Sequence, residues 1–237
     1  MDSLVRLNFK AMPFSELSAR AAGVRSRIQL AVERGGRGQD VTIVAVTKTH
    51  GPDAVVAAWQ SGLADVGENR VQEALAKMDE VTVPVRWHLI GHLQRNKVKA
   101  LDRFSLFHAL DSARLADAAN SVGLEWNSPV DVLVQVNVAR ETSKGGFSVE
   151  ELPAESARMA AMTGLRVKGV MAMARLDADE AELRRTFSAA RDARTVLSDA
   201  GHDATELSMG MSGDYEIAVE EGATIVRLGT TLFGVRD

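Results

Sequence analysis

The sequence predicts a (β/α)8 TIM-type barrel with an extra N-terminal helix, and three observations support this fold class. Eight apolar runs alternate with amphipathic segments, which is the pattern of βαβ units and a parallel sheet. The chain has 237 residues, close to the roughly 250 that are typical of this fold. The glycine-rich stretch at residues 35–38 precedes the first apolar run, whereas a dinucleotide-binding loop must follow it. An open, doubly wound sheet is therefore the less favoured alternative.

The elements follow one another along the chain after a helix-like stretch at residues 14–34. The predicted strands are residues 41–47, 64–67, 87–91, 106–110, 130–138, 167–174, 206–211 and 224–228. The predicted helices between them are residues 53–61, 70–80, 95–101, 113–122, 149–163, 179–200 and 213–221. Residues 130–136 are almost continuously apolar, as expected for a strand that is covered on both faces.

Composition limits the classes of protein that the chain can belong to. A hydrophobic fraction of 46% and a charged fraction of 25% indicate an ordinary globular protein, with residues 1–13 as an extension and residues 14–237 as one barrel domain. The net charge of −4 gives no general attraction to nucleic acid or to anionic membranes. Cysteine is absent, which excludes disulfides and thiolate chemistry. Without an apolar run of membrane-spanning length or a signal-peptide core, we expect a cytoplasmic protein.

Functional residues of such a barrel lie at the C-terminal ends of its strands, and Lys48 ends the first one. The seven residues before it carry no charge, so the stem of Lys48 is expected to be desolvated at the barrel mouth. Desolvation favours the neutral amine, which attacks a carbonyl to form a Schiff base. The alternative is a lysine whose ammonium group simply reaches solvent from the strand end.

Polar residues in the last two loops predict a phosphate site. Ser212 follows the seventh strand, and Gly229 and Thr230 follow the eighth, which are the two loops that often bind phosphate in this fold. A hydroxyl and a helix N-terminus would together hold the anion. Alternatively, Ser212 is only the N-cap of the seventh predicted helix.

Two further strand-end residues have both a functional and a structural interpretation. Arg227 lies inside the apolar eighth strand, where an unpaired charge is costly, so it needs a ligand or a structural partner such as Glu206 or Asp214. Asn69 either lines a pocket or is an N-cap, because Gln72 three residues later completes a capping-box pattern.

Other polar residues near the strand ends give weaker signals. His88 and His92 lie near Asp111, but their spacing does not match a metalloprotease helix, and we expect no metal site. Lys144, in a glycine-rich loop, either reaches the mouth or faces water. Four methionines alternate on predicted strands and are interpreted as barrel packing; they are Met171, Met173, Met209 and Met211.

Six segments in series resemble the pyridoxal phosphate homeostasis protein family and cover nearly the whole chain after residue 40. They are residues 45–49 (AVTKT), 67–70 (GENR), 87–97 (WHLIGHLQRNK), 143–146 (SKGG), 208–212 (SMGMS) and 226–230 (VRLGT). Each segment alone is weak, whereas six in the family's order are specific.

The resemblance implies a barrel similar to the N-terminal domain of alanine racemase, with pyridoxal 5'-phosphate bound at its mouth. It implies a covalent aldimine between Lys48 and the cofactor, with Arg227 facing the pyridine nitrogen. The other cofactor-binding residues that it implies are Ser212, Gly229 and Thr230 at the phosphate and Asn69, Ser208 and Met209 near the ring.

The function that follows from the resemblance is to hold pyridoxal phosphate for intracellular vitamin B6 homeostasis, by buffering or delivery, without robust catalysis. In alanine racemase the second base is a tyrosine from the partner subunit's second domain, whereas this chain has one tyrosine, Tyr215, and is expected to form a single barrel domain. Partners would be the cofactor and pyridoxal phosphate-dependent apo-enzymes, and the protein is expected to be a monomer. The enzymatic alternatives are an amino-acid racemase, with Tyr215 or His88 as second base beside Lys48, and a Schiff-base aldolase acting on phosphorylated sugars.

Overall fold

Eight strands form the inner wall of the molecule, and the helices lie outside them. A computed structural model describes residues 14–138 and 145–234 of the chain. The strands are β1 (Thr42–Val46), β2 (Asp65–Glu68), β3 (Arg86–Leu89), β4 (Leu106–Leu110), β5 (Val130–Gln135), β6 (Leu165–Met171), β7 (Glu206–Ser208) and β8 (Ile225–Leu228). All neighbouring pairs are parallel, and β8 pairs with β1 to close the barrel. The predicted fold class is therefore confirmed.

The helices connect consecutive strands on the outside of the barrel. They are α1 (Leu17–Gly35), α2 (Pro52–Gln60), α3 (Val71–Glu80), α4 (Ala113–Glu125), α5 (Leu152–Ala160), α6 (Glu180–Asp199), α7 (Tyr215–Glu220) and α8 (Thr230–Phe233). A 3₁₀ helix, Arg95–Arg103, connects β3 to β4. Because helices cover the outer face and side chains fill the interior, β4 is buried along its whole length.

The extra helix α1 precedes the first strand, as the sequence predicts. Its buried side chains, Leu17, Ala21, Val24 and Ile28, recur at helical spacing and form one apolar stripe. This stripe packs toward the barrel, and α1 lies against α7. The helix ends at Gly35 and is capped by Gly36, whose φ of 63° places it in the left-handed region that glycine adopts without strain.

Several element boundaries differ from the sequence predictions. The fifth and seventh strands end earlier than expected, at Gln135 and Ser208, so that residues 209–211 belong to the loop that follows β7. Residues 95–103 form a 3₁₀ helix in place of an α-helix. Helix α8 was not predicted, because its Thr-Thr start is β-branched and continues the pattern of the preceding strand.

Some predictions concern parts of the chain that the structure does not describe. The N-terminal extension, residues 1–13, and Lys144 both lie outside the described residues. Within the described ranges, no helix combines the length and the apolar character that crossing a membrane requires.

Candidate functional site

The carboxyl ends of the strands open into a cavity of about 380 Å³, here called the mouth cavity. Its polar and glycine lining comes mainly from the ends of β1, β2, β7 and β8, and includes Lys48, Asn69, Ser212, Asp214, Arg227, Gly229 and Thr230. Six of the eight cofactor-binding residues predicted from the sequence therefore lie in one cavity, although they are separated by up to 182 positions along the chain. This is the arrangement expected at the functional end of a barrel.

Volume alone does not distinguish this cavity from others. A cavity of the same volume, about 380 Å³, lies between the start of α1 and α2 and is lined by residues such as Phe14, Ser18 and Gln60. A third, of about 220 Å³, lies at the opposite end of the barrel and is here called the floor cavity. The mouth cavity is distinguished by its chemistry, since it combines two cationic side chains with hydroxyl and glycine residues.

Lys48 lies two residues after Val46, the last residue of β1, and is half-buried at the cavity. The backbone next to it is held by a buried ion cluster. Lys77 Nζ donates hydrogen bonds to the carbonyl oxygen of Thr47 at 2.8 Å, to Glu68 Oε1 at 2.7 Å and to Glu73 Oε1 at 2.9 Å. Because this cluster ties β1, β2 and α3 together, it fixes the backbone from which Lys48 projects.

The residue after Lys48 has an unusual backbone conformation. Thr49 has a φ of 67°, in the left-handed region that β-branched residues rarely adopt. Its backbone N–H donates to Glu73 Oε1. Lys48 is thus placed between two backbone groups, one on each side, that bond to the same ion cluster.

Glu68 is the most deeply buried member of this cluster. Its Oε1 accepts from Thr47 Oγ1 at 2.6 Å and from Lys77, while its Oε2 has no hydrogen-bond partner among the described residues. Burial raises the pKa of the Glu68 carboxyl, and the hydrogen bonds from Lys77 and Thr47 only partly oppose that rise.

Asn69 is not a helix cap. Helix α3 begins at Val71 with Arg70 in the N-cap position, so the capping-box interpretation is wrong. Asn69 is instead exposed to the mouth cavity. A Cβ atom on Gly91 would lie 2.6 Å from Asn69 Oδ1, so only glycine at this position lets the two loops approach so closely.

Arg227 lies in β8 with 5% of its surface exposed, and it reaches the mouth cavity. Its guanidinium donates to the carbonyl oxygen of Ser208 at 2.7 Å, to Ser208 Oγ at 2.6 Å and to the carbonyl oxygen of Ala172 at 3.0 Å. Burial lowers its pKa to about 10, and the charge of Asp214 opposes this shift. Within the described residues no carboxylate forms an ion pair with Arg227, so the proposed pairing with Glu206 or Asp214 is wrong.

The two loops that were predicted to bind phosphate are joined to each other. Ser212 Oγ accepts a hydrogen bond from the backbone N–H of Thr231 at 3.2 Å, and Thr231 Oγ1 donates to the Ser212 carbonyl oxygen at 3.3 Å. The N-cap of α7 is Asp214, so the interpretation of Ser212 as that cap is wrong. Ser212, Gly229 and Thr230 line the mouth cavity together.

Ser208 and Met209 are placed differently from the other predicted site residues. Both are fully buried, and neither is among the described residues that line the mouth cavity. Ser208 instead contacts Arg227 from inside the barrel.

Part of the cavity wall was missed from the sequence. Met173 and Met211 line the mouth cavity. The packing interpretation holds for the buried Met171 and Met209 and for Met173, which also packs against the core, whereas Met211 belongs to the cavity wall. Leu176 also lines the mouth and is 99% exposed. Leu176 lies in a loop without a periodic apolar pattern, so the sequence gives no indication that it lines a cavity. The other apolar lining residues are Val46 and Ile90.

The two histidines that the sequence placed near Asp111, His88 and His92, have different surroundings. His88 is buried inside the barrel, whereas His92 is exposed and its Nδ1 lies 2.7 Å from Asp111 Oδ2. In residues 14–138 and 145–234, no group of three or more histidine or carboxylate side chains could hold a metal ion.

Tyr215, the proposed second base of a racemase, is buried in α7, with the guanidinium carbon of Arg27 from α1 lying 5.9 Å from its ring centroid. Burial raises the pKa of its hydroxyl, with Arg27 opposing and Glu216 adding to that rise. Tyr215 is not one of the described residues that line the mouth cavity, and neither is His88. The geometry therefore places no proposed second base opposite Lys48.

Known proteins resemble the chain over nearly its full length. Residues 21–237 match the family described as alanine racemase, N-terminal domain. A pyridoxal phosphate homeostasis protein of Pseudomonas aeruginosa is 38% identical over 226 residues, which cover 94% of this chain and 97% of that protein. One of Aquifex aeolicus is 40% identical over 221 residues, covering 92% and 97%.

A solved structure is similar as well. PipY of Synechococcus elongatus PCC7942, solved with PLP bound, superposes with a TM-score of 0.81 at 34% identity. The match covers 92% of this chain and 100% of that one.

Proposed function

Because the chain belongs to the pyridoxal phosphate homeostasis protein family, within the alanine racemase N-terminal domain family, we propose that it binds pyridoxal 5'-phosphate in the mouth cavity. The observation that carries this proposal is that Lys48, Arg227 and the Ser212, Gly229 and Thr230 loops line one cavity. An amine, a buried guanidinium and a phosphate-sized group of hydroxyls and amides match the aldehyde, ring nitrogen and phosphate of this cofactor. PipY, solved with PLP bound, matches this chain over 92% of its length.

The groups in the cavity fit the cofactor chemically. Arg227 uses its guanidinium for three hydrogen bonds to protein oxygens, and its remaining N–H groups have no partner among the described residues. One of these groups would donate to the unprotonated ring nitrogen. Ser212 and Thr230 would supply hydroxyls, and Gly229 its backbone N–H, to the phosphate. Asn69 would flank the ring.

We further propose that Lys48 holds the cofactor covalently. Its neutral Nζ would attack the aldehyde carbon, forming a C=N bond as the C=O bond breaks, and both amine protons would leave with the oxygen as water. The aldimine so formed retains the cofactor beyond what contacts with phosphate and ring alone provide. The ion cluster behind Thr47 and Thr49 would keep Lys48 in place for this step.

The biological role that we propose is to hold and deliver pyridoxal phosphate within the cytoplasm, acting as a monomeric barrel of residues 14–237. The titratable side chains that line the described part of the cavity are Lys48, Asp214 and Arg227. Asp214 already accepts the backbone N–H of Met211 at 2.5 Å. This set lacks the paired base of a two-base racemase, which favours retention of the cofactor over turnover.

The absorption spectrum of the purified protein mixed with pyridoxal phosphate tests this proposal. An absorption band in the violet region should appear and be bleached by borohydride, and mass measurement should find one pyridoxyl group on Lys48. Lys48→Ala should lack the band, whereas Lys99→Ala, on the outer surface, should keep it. Absence of the band in the unmodified protein, or its persistence in Lys48→Ala, contradicts the proposal.

Delivery needs its own experiment. Loaded protein should restore an apo-enzyme that depends on pyridoxal phosphate while a phosphatase destroys free cofactor. If the phosphatase abolishes the recovery of apo-enzyme activity, the protein retains the cofactor but does not deliver it directly.

Membership of the alanine racemase N-terminal domain family also motivates the racemase alternative. Deuterium exchange at the α-carbon of L-amino acids in deuterated water decides between the two functions. We expect no exchange above that of free cofactor, and rapid exchange would establish catalysis.

A further inference from the structure

A continuous line of hydrogen bonds crosses the inside of the barrel from Arg227 to Asp65. Arg227 Nη1 lies 2.6 Å from Ser208 Oγ, and Ser208 Oγ lies 2.9 Å from His108 Nδ1. His108 Nε2 lies 2.9 Å from His88 Nδ1, and His88 Nε2 lies 2.9 Å from Asp65 Oδ1. We call Ser208, His108, His88 and Asp65 the relay.

The relay connects the two ends of the barrel. Arg227 lines the mouth cavity, whereas His88 and Asp65 line the floor cavity at the starts of the strands. Ser208 and His108 between them are 0% exposed. Polar side chains are costly in such a position unless each is fully hydrogen-bonded, so a relay of this length indicates a role that apolar packing does not fill.

The two ends of the relay determine its direction. A guanidinium only donates hydrogen bonds, so Ser208 Oγ accepts from Arg227. Asp65 accepts at the other end as a carboxylate. Burial raises the pKa of its carboxyl, but the hydrogen bonds from His88 and Arg86 outweigh burial and lower it.

The middle of the relay is neutral. Burial holds the pKa of His108 well below its usual value, and His88 and Arg227 lower it further. His108 therefore carries one N–H group, which is either on Nε2 or on Nδ1.

With the proton on Nε2, every group in the relay is satisfied. Ser208 then donates to His108 Nδ1, His108 donates to His88 Nδ1, and His88 donates to Asp65. With the proton on Nδ1, His88 must carry two N–H groups as a buried imidazolium. The Ser208 proton would then have no acceptor among the described residues. The first arrangement is favoured because it leaves neither an added buried charge nor an unpaired hydroxyl.

We propose that Ser208, His108, His88 and Asp65 are positioning residues that hold the Arg227 guanidinium in place and in its charged form at the mouth cavity. In the favoured arrangement all four hydrogen bonds point from guanidinium to carboxylate, so each polarises the next. The relay thereby couples a buried cation, whose nearest acceptors are neutral oxygens, to an anion at the floor. That Arg227 meets the ring nitrogen rests on the function proposed above.

The first experiment measures binding by two ligands that differ only at the ring nitrogen, pyridoxal 5'-phosphate and its 1-deaza analogue, which has C–H in that place. Ser208→Ala should weaken binding of pyridoxal phosphate about tenfold, as expected when one hydrogen bond to a charged group is lost. Asp65→Asn should weaken it about threefold, because the charge acts through intervening bonds. Neither change should affect the analogue.

The matched control is Asp131→Asn, which disrupts the Arg166–Asp131 ion pair at the same floor but outside the relay. Its affinity for both ligands should equal that of the unmodified protein. Equal losses for both ligands in Ser208→Ala, or no loss for either, overturn the proposal.

The second experiment needs no cofactor. Nitrogen NMR of the histidine rings in the unmodified apo-protein should show His108 and His88 both protonated on Nε2 and not on Nδ1. Protonation of His108 on Nδ1 reverses the relay and overturns the proposal. If the tautomers are as expected but the protein does not bind pyridoxal phosphate, the proposed function fails while the direction of the relay stands.

Discussion

The two cationic side chains of the mouth cavity, Lys48 and Arg227, are held in opposite ways. Lys48 is half-buried, and an ion cluster of Lys77, Glu68 and Glu73 fixes the backbone on either side of it. Arg227 is buried, and its side chain itself is fixed by neutral oxygens. The first region is stabilised by close charge pairs, the second by a chain of neutral dipoles with an anion at its far end.

This difference matches the two proposed roles. A lysine that forms and releases a covalent bond gains from a fixed backbone, which sets the point from which its side chain reaches the cofactor. An arginine that presents a permanent charge to a ring nitrogen gains from a fixed side chain. The comparison shows two ways of positioning a cationic side chain. The backbone is fixed at Lys48, where a covalent bond is proposed, and the side chain itself is fixed at Arg227, where recognition of the ring nitrogen is proposed.

The largest expected effect comes from removing the cation behind Lys48. Lys77→Met leaves the buried Glu68 carboxylate without its cationic partner and should lower the free energy of unfolding by about 3 kcal/mol. Chemical denaturation measures this. Lys99→Met, which removes an exposed ion pair with Glu125, is the control and should change stability by less than about 0.5 kcal/mol. Equal losses of unfolding free energy in Lys77→Met and Lys99→Met would contradict the burial of the Lys77 ion cluster.

Removing the Arg227 guanidinium should destabilise the protein less than removing the Lys77 ammonium group. Arg227→Met removes the Arg227 donor from the Ala172 carbonyl oxygen and the Ser208 hydroxyl, whereas the Ser208 carbonyl oxygen keeps the backbone N–H of Ala172. No unpaired charge is left, and the free energy of unfolding should fall by about 2 kcal/mol. The same denaturation experiment compares it directly with Lys77→Met. A cost above that of Lys77→Met would reverse the contrast between the two regions.

Relief of backbone strain beside Lys48 should increase the stability of the protein, in contrast to the two substitutions above. Thr49→Gly should raise the free energy of unfolding by up to about 1 kcal/mol, because glycine adopts the left-handed region without the cost to a side chain. It should also slow formation of the violet band, since Lys48 becomes less well placed. Asn127→Gly, at a φ of 51° far from the mouth, should change neither, because asparagine tolerates this region. Destabilisation by Thr49→Gly would mean that Thr49 is not strained.

The smallest expected effect is a difference in pH dependence between the carboxyls of the two regions. The pKa of Glu68 is raised above 4.5 by burial, so the folded state binds a proton first and gains stability as pH falls through that raised value. The pKa of Asp65 is lowered below 3.8 by its hydrogen bonds, which outweigh burial, so its contribution is present above 3.8 and is lost as pH falls through the lowered value.

Acid titration of stability in two variants measures this difference. Asp65→Asn should flatten the loss of unfolding free energy below pH 3.8, and Glu68→Gln should remove the gain on acidification above pH 4.5. Identical slopes in the two variants would contradict the assignment of opposite shifts.

Much of the fold and many residues of the mouth cavity could be predicted, because the sequence patterns that determine them involve residues close together in the chain. Eight apolar runs alternating with amphipathic helical segments determine a parallel barrel, since both faces of such strands must be covered. The barrel in turn brings all strand ends to one edge, so Lys48 and the loops after the last two strands could be placed together from chain order alone. The predicted helix caps Asn69 and Ser212 were wrong, because an error of one or two residues in a helix boundary changes which residue is the cap.

The sequence by itself determined the barrel, the family and the set of groups at its mouth, because periodicity and short motifs are properties of neighbouring residues. Only the tertiary structure decided what supports those groups. Asp65, His88, His108, Ser208 and Arg227 span 163 positions, and no spacing in the chain relates them. They meet because closing the barrel turns the inward faces of five strands, β2, β3, β4, β7 and β8, toward one axis, where a buried donor must find whichever acceptor the other strands present.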